Sequence, residues 1–197
     1  MLNIKKKLKE DIFNSIKLKK KILSLKNKIT ESIDLIFLTL DKGNKVFICG
    51  NGGSAADAQH LSAEFLIRLR SNINRRPFPV ISLAQDTSTI TACGNDLGFN
   101  NLFARNLEAM GSINDLLIVI STSGNSKNII KVLKTAKKKK IKSIGFLGNK
   151  GGAAKNNCDL SLIVPEKKTS RIQEIHIFLG HFIFEQVENL LIARIKK

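Results

Sequence analysis

Through the first forty positions, apolar residues recur at spacings of three and four: Ile12, Phe13, Ile16, Leu23, Leu25, Ile29, Ile33, Ile36 and Phe37. That period predicts one or two helices with a lysine-rich outer face, broken near residues 24–27. Asp41, Lys42, Gly43 and Asn44 form a stop signal. The pattern then changes to short apolar runs at 46–49, 79–83, 116–120, 143–147 and 160–164, separated by segments of helical length. Strands that read as unbroken apolar runs are buried on both faces, and alternation with helices implies a parallel sheet. A final helix is predicted over 170–193, with Ile172, Ile175, Phe178, Leu179, Phe182, Ile183 and Val187 at helical spacing. The expected fold is α/β: a doubly wound, five-stranded parallel sheet of flavodoxin-like order 2-1-3-4-5. Helices cover both faces, with an N-terminal helical extension. One domain is expected over 1–197, comprising N-terminal helices (1–40), sheet core (45–165) and C-terminal helix (170–195).

Charge and composition narrow the class. A net charge of +17 invites a nucleic-acid reading, yet only seven of the 33 basic residues are arginine and there is no Trp or Tyr to stack on bases. Lysine runs such as 137–140 read as a solvated helix face rather than a nucleic-acid footprint. No apolar run approaches the roughly 20 residues of a membrane span. The basic N-terminus lacks the apolar segment and cleavage site of a secretory signal. Three cysteines (Cys49, Cys93, Cys158), odd in number and without metal-type spacing, point to the reducing cytoplasm.

Chemistry concentrates in two loops. In a sheet of this order, ligands bind beyond the carboxyl ends of the strands, in the crevice between strands one and three. The loops leaving those strands are Gly50-Asn51-Gly52-Gly53-Ser54 and Ser121-Thr122-Ser123-Gly124-Asn125-Ser126. The second sets four hydroxyls and several backbone N–H groups at a helix start, which suits a phosphate. No Gly-Lys-Ser/Thr follows, which excludes a P-loop nucleotidase. The first loop also matches G-x-G-x-x-A at Gly50, Gly52 and Ala55, with Asp86 as a candidate ribose ligand. A dinucleotide site, however, leaves the hydroxyl loop without a role. In the helix that follows, Asp57, His60 and Glu64 are spaced three and four apart and project along one side. His60 and Glu64 could share a metal ion or a substrate proton; spacing alone also allows a surface pair. His176 and His181 lie in the last helix, and sequence alone pairs neither with His60.

Gly50 to Glu64 reads G-N-G-G-S-A-A-D-A-Q-H-x-x-A-E; Asn95-Asp96, S-T-S-G-N-S from Ser121 and R-I-Q-E-x-H from Arg171 follow. Together these resemble the phosphoheptose isomerases, members of the sugar-isomerase (SIS) domain proteins, over essentially the whole chain. The resemblance implies a homotetramer with active sites at subunit interfaces. The implied reaction converts sedoheptulose 7-phosphate into D-glycero-D-manno-heptose 7-phosphate, on the way to the ADP-heptose of the lipopolysaccharide core. It further implies that Asn51, Gly52 and Gly53 line the sugar, that Ser121, Thr122, Ser123 and Ser126 hold the phosphate, and that Asn95 and Asp96 contact substrate. Zn2+ would be held by His60, Glu64, Gln173 and His181, with Gln173 also touching substrate. Glu64 and His181, drawn from different subunits, would be the acid/base pair. The stretch before Arg171 lacks an acidic residue, leaving Thr169 as the substrate contact there. Two alternatives belong to the same fold: a non-catalytic SIS tetramer that binds the bacterial replication initiator, and an isomerase of another sugar phosphate.

Overall fold

The computed structural model describes residues 3–195. Its elements, in order, are α1 (Ile4–Ile22), a 3-10 turn (Leu23–Leu25), α2 (Lys26–Asp41), β1 (Val46–Gly50), α3 (Gly53–Leu66) and β2 (Val80–Ser82). There follow α4 (Thr87–Asp96), a 3-10 turn (Phe99–Asn101), α5 (Leu102–Met110), β3 (Leu116–Ser121) and α6 (Lys127–Lys138). The chain ends with β4 (Lys142–Gly148), a 3-10 turn (Ala153–Asn156), β5 (Leu160–Val164) and α7 (Thr169–Ile195). The strands are parallel and ordered β2-β1-β3-β4-β5, so direction switches between β1 and β3 as the hydrophobic pattern predicts. The expected break near residues 24–27 is the 3-10 turn between α1 and α2.

Alternate residues of each strand feed two apolar layers. Val46 and Ile48 of β1 face one way, with Ile118 and Phe146, and pack under α2, α3 and α7 through Ile36, Phe65, Leu179 and Ile183. Phe47 and Cys49 face the other way and meet α5 and α6 through Phe103, Leu107, Ile129 and Leu133. Burial on both faces explains why the strands read as continuous apolar runs. Among the described residues, no helix is long and apolar enough to cross a membrane.

The N-terminal extension departs from a simple buried face. On α1 only Ser15, Leu18 and Ile22 are buried, while Ile4, Leu8, Ile12, Phe13 and Ile16 stand exposed. The helical period was read correctly, but most of its apolar stripe finds no cover within one chain. Polar ties hold α1 to the body: Ser15 Oγ donates to Glu174 Oε1 at 2.8 Å, and Lys168 reaches Asp11 at 3.8 Å.

The core also holds one histidine. His176 of α7 is fully buried beside Phe146, with ring centroids 6.2 Å apart, and neither ring nitrogen has a hydrogen bond of acceptable geometry. Burial depresses its pKa to about 4, offset only in part by the nearby Leu147 carbonyl. The unfolded chain binds this proton near pH 6.5 and the folded chain only near 4, so unfolding takes up a proton between those values. Stability is therefore fully present above pH 6.5 and falls as the pH drops toward 4, by about 3 kcal/mol at 1.36 kcal/mol per unit. Replacing His176→Leu is expected to flatten that part of the stability profile relative to the wild type, measured by urea denaturation at pH 7, 5.5 and 4.

Candidate active site

Two loops leave the sheet at its switch point, and both are shaped by glycine. A Cβ at Gly50 would lie 2.5 Å from the Ser54 carbonyl oxygen, so the chain turns from β1 into α3 in a space only glycine fits. Gly52 caps α3 with φ +55, in the left-handed region, and no side chain caps the helix. Amides at this helix start are thus presented with the positive end of the helix dipole. In the second loop, Ser121 Oγ accepts from the Gly124 amide at 3.1 Å and Ser123 Oγ from Asn125 at 3.1 Å. Ser126 is the N-cap residue of α6, yet its side chain makes no capping hydrogen bond.

These loops face each other across a cavity of about 300 Å³ lined by Asn51, Gly52, Gly53, Ser54, Ile120, Ser121, Thr122, Ser123, Ser126, Thr169 and Gln173. Sequence reasoning overlooked the brace between them. Asn51 Nδ2 donates to Asn128 Oδ1, and Asn128 Nδ2 returns a bond to Asn51 Oδ1, each at 2.9 Å. Asn128 is buried at the start of α6, where an amide following a hydroxyl-rich loop was the available signal.

Beyond the loop, α3 runs alongside α7 in the same direction. The two helices approach closely over glycine twice. The Gln173 amide fills the space a Cβ would occupy at Gly53, and a Cβ at Gly180 would meet Leu61 Cδ1 at 2.6 Å. The second contact puts His181 directly opposite His60. Their Nε2 atoms are 2.9 Å apart, and Glu64 Oε1 lies 3.2 Å from the first and 3.3 Å from the second. Glu64 Oε2 is buried without a hydrogen-bond partner. Burial raises the Glu64 carboxyl above its usual pKa, against the pull of His181 and His60. Asp57, two turns before Glu64, also carries a buried unpartnered oxygen, and burial raises its pKa.

The three ligand atoms of His60, Glu64 and His181 lie within 4.8 Å of one another. Two imidazole nitrogens and a carboxylate oxygen turned to one point suit Zn2+, and the crowding of two Nε2 atoms is the arrangement a shared cation relieves. The donor set therefore fits the metal.

Several expectations change. Glu64 and His181 meet within a single chain, because α3 and α7 pack side by side; no second subunit is needed to join them. Gln173 lies two turns before His181, about 12 Å by helical rise, and lines the loop cavity instead of joining the triad. Asn95 and Asp96 sit exposed at the end of α4, bonded to each other at 2.7 Å, and join neither group. Asp86, the candidate ribose ligand, caps α4 by accepting from the Ser88 and Thr89 amides, which leaves the dinucleotide reading without its acidic residue.

Comparisons with known proteins point to one family. The SIS domain model matches residues 13–148. A phosphoheptose isomerase from Clostridium acetobutylicum is 45% identical over 187 residues, covering 93% of this chain and 94% of its own. One from Chlorobaculum tepidum is 49% identical over 164 residues, or 83% and 78% of the two chains. The solved structure of a phosphoheptose isomerase from Francisella tularensis superposes with a TM-score of 0.91 at 34% identity, covering 96% of this chain and all of that one.

Proposed function

The chain belongs to the SIS domain family, among its phosphoheptose isomerases, and from that premise we propose which residues carry its reaction. The protein is an aldose–ketose isomerase that interconverts sedoheptulose 7-phosphate and D-glycero-D-manno-heptose 7-phosphate. One observation carries the assignment of roles: α3 begins at the hydroxyl-lined cavity and, two turns on, presents His60 and Glu64 to His181. Seven helical steps separate Gly53 from His60, a rise of about 10 Å, comparable with an extended seven-carbon chain together with its terminal phosphate.

Ser121, Thr122, Ser123 and Ser126 take the phosphate, aided by the free amides at the helix starts. Asn51, Gly52, Gly53 and Gln173 take the sugar hydroxyls. This remote binding holds the carbonyl end beside Glu64, so binding energy is used for orientation. Glu64 Oε2, buried and unpaired, takes the proton from C-1 of the ketose; the resulting enediol is reprotonated at C-2 to give the aldose. His181 Nε2 serves the oxygen protons when no metal engages it. His60, Glu64 Oε1 and His181 would hold Zn2+, which as a Lewis acid polarises carbonyl and enediolate oxygens when bound.

A homotetramer is supported by the uncovered ridge of α1 and by an apolar groove of about 320 Å³ lined by Leu23, Ile29, Ile33, Phe178 and Phe182. Three free cysteines, two of them buried, support a cytoplasmic location. The non-catalytic alternative gives the unpartnered Glu64 Oε2 and the paired histidines no task.

Two kinetic signatures test the roles. Glu64→Gln is expected to lower kcat by about 10²–10⁴-fold, the usual range for a positioned acid/base, with KM little changed. Ser126→Ala removes a charge-assisted bond of about 1.5–3 kcal/mol and is expected to raise KM by roughly 10-fold or more. Unchanged kcat in the first variant would remove Glu64 from the chemistry. Light scattering should return four chain masses for the wild type, and fewer for a Phe178→Asp/Phe182→Asp variant; a monomeric wild type would refute the assembly.

A further inference from the structure

The buried charges left over from this mechanism lie at the far end of the same helix pair. Glu188 of α7 is fully buried, and its carboxylate is shared by two arginines: Arg75 Nε donates to Oε1 at 2.6 Å and Arg70 Nε to Oε2 at 2.7 Å. Arg75 is itself almost entirely buried, with its side chain 2% exposed. Its guanidinium lies 5.2 Å from the Phe65 ring centroid and 5.3 Å from that of Phe78. The remaining N–H groups are directed at backbone. Nη2 donates to the carbonyl of Glu64 at 2.8 Å, and Nη1 to the carbonyls of Phe65 and Arg76 at 3.0 Å each.

The placement is informative. Helix α3 ends at Leu66, so the carbonyls of Glu64 and Phe65 belong to its last turn, where no further amide of the helix is available to them. Arg75, arriving from the irregular stretch 67–79, supplies those donors and puts a positive charge at the negative end of the helix dipole. Its other edge grips Glu188, seven residues beyond His181 on α7. One guanidinium therefore ties the backbone of the residue bearing the Glu64 carboxylate to the helix bearing His181. A planar fork with Nε on a carboxylate and both Nη groups on backbone carbonyls is a geometry that arginine can make and lysine cannot.

We propose that Arg75, seated on Glu188, is a positioning residue that holds Glu64 in register with His181 and so sets the geometry of the metal and proton-transfer site. The inference rests on the assignment of Glu64 and His181 above. A group that orients ligands from behind usually alters metal affinity or activity by 10–100-fold when removed. It leaves the phosphate loops alone, because these are braced separately by Asn51 and Asn128.

The test uses the full-length protein with Arg75→Lys and with the paired Arg75→Met/Glu188→Leu variant. The double change removes both buried charges together, which protects folding, but leaves the Glu64 carbonyl without its arginine donor, while the Phe65 carbonyl keeps the Phe78 amide at 3.1 Å. Three quantities are read for each: kcat and KM with sedoheptulose 7-phosphate, the Zn2+ dissociation constant by competition with a chromophoric chelator, and inhibition by inorganic phosphate. Both variants are expected to lose kcat and Zn2+ affinity by about 10-fold or more, with KM and phosphate inhibition within about 2-fold of wild type. Should the double variant fail to fold by circular dichroism, Arg75→Lys decides alone. Wild-type kcat and Zn2+ affinity in a folded variant would overturn the proposal. So would a rise in KM and in the phosphate inhibition constant matching the loss of kcat, since that reports general loosening. A wild-type protein that neither isomerises the sugar nor binds Zn2+ would instead refute the site assignment itself.

Discussion

The functional geometry depends on the close, parallel contact between α3 and α7. Helices ordinarily pack with axes 8–10 Å apart, a spacing set by the side chains between them. Here two glycines shorten the approach: Gly53 admits the Gln173 amide, and Gly180 admits Leu61. The neighbours of the second contact in sequence are His60 and His181, so close packing at Leu61 and Gly180 delivers two imidazoles to 2.9 Å. Phe65 against Phe184, with ring centroids 4.6 Å apart, carries the same register onward. The Arg75–Glu188 pair closes the end.

Around that helix pair, the sheet supplies the other half of the site. The β1 and β3 strands end side by side, with Gly50 paired to Ile120, and their loops open in the same direction. One loop is nearly all backbone and lets a sugar approach; the other is nearly all hydroxyl and suits a phosphate. The length of α3 then links the two regions, because the glycine loop at Gly53 and the histidine–glutamate cluster are separated by two turns of that helix. The cluster is also the place where burial works against charge: Glu64 and Asp57 are both pushed toward their neutral forms, and each keeps an oxygen without a partner. Unpaired buried oxygens are costly, and sites that wait for a proton or a cation are where such a cost is retained.

Much of this was legible in the order of residues. The five apolar runs became the five strands, and the expected flavodoxin-like order is the one observed, since parallel strands with helical crossovers leave few topologies. The hydroxyl loop and glycine loop were recognisable because their chemistry is local: four hydroxyls at a helix start, and glycines where backbone must turn or approach. What lay hidden was set by partners distant in sequence. Nothing local tells that His181 rather than His176 would meet His60; rotation of α7 decides it, turning His176 into the core against Phe146. Asn128 looks like an ordinary early-helix residue until Asn51 is seen opposite. Arg75 stands beside Arg76 in an irregular stretch whose sequence carries no sign of burial, yet Glu188 draws it inside. The apolar stripe of α1 has the right period for a buried face, but period reports only that a face will be covered, not which chain covers it.

The central claim is that a single α3–α7 pair carries out proton transfer between adjacent carbons of a phosphorylated heptose, with Glu64 as the group that moves the proton. Turnover of sedoheptulose 7-phosphate in deuterium oxide, followed by NMR, tests it most directly. The expected outcome is an aldose whose C-2 hydrogen comes from solvent to the extent that the proton held by Glu64 exchanges before its return, with turnover lost in Glu64→Gln. Absence of the aldose, or turnover of Glu64→Gln at the wild-type rate, would contradict it.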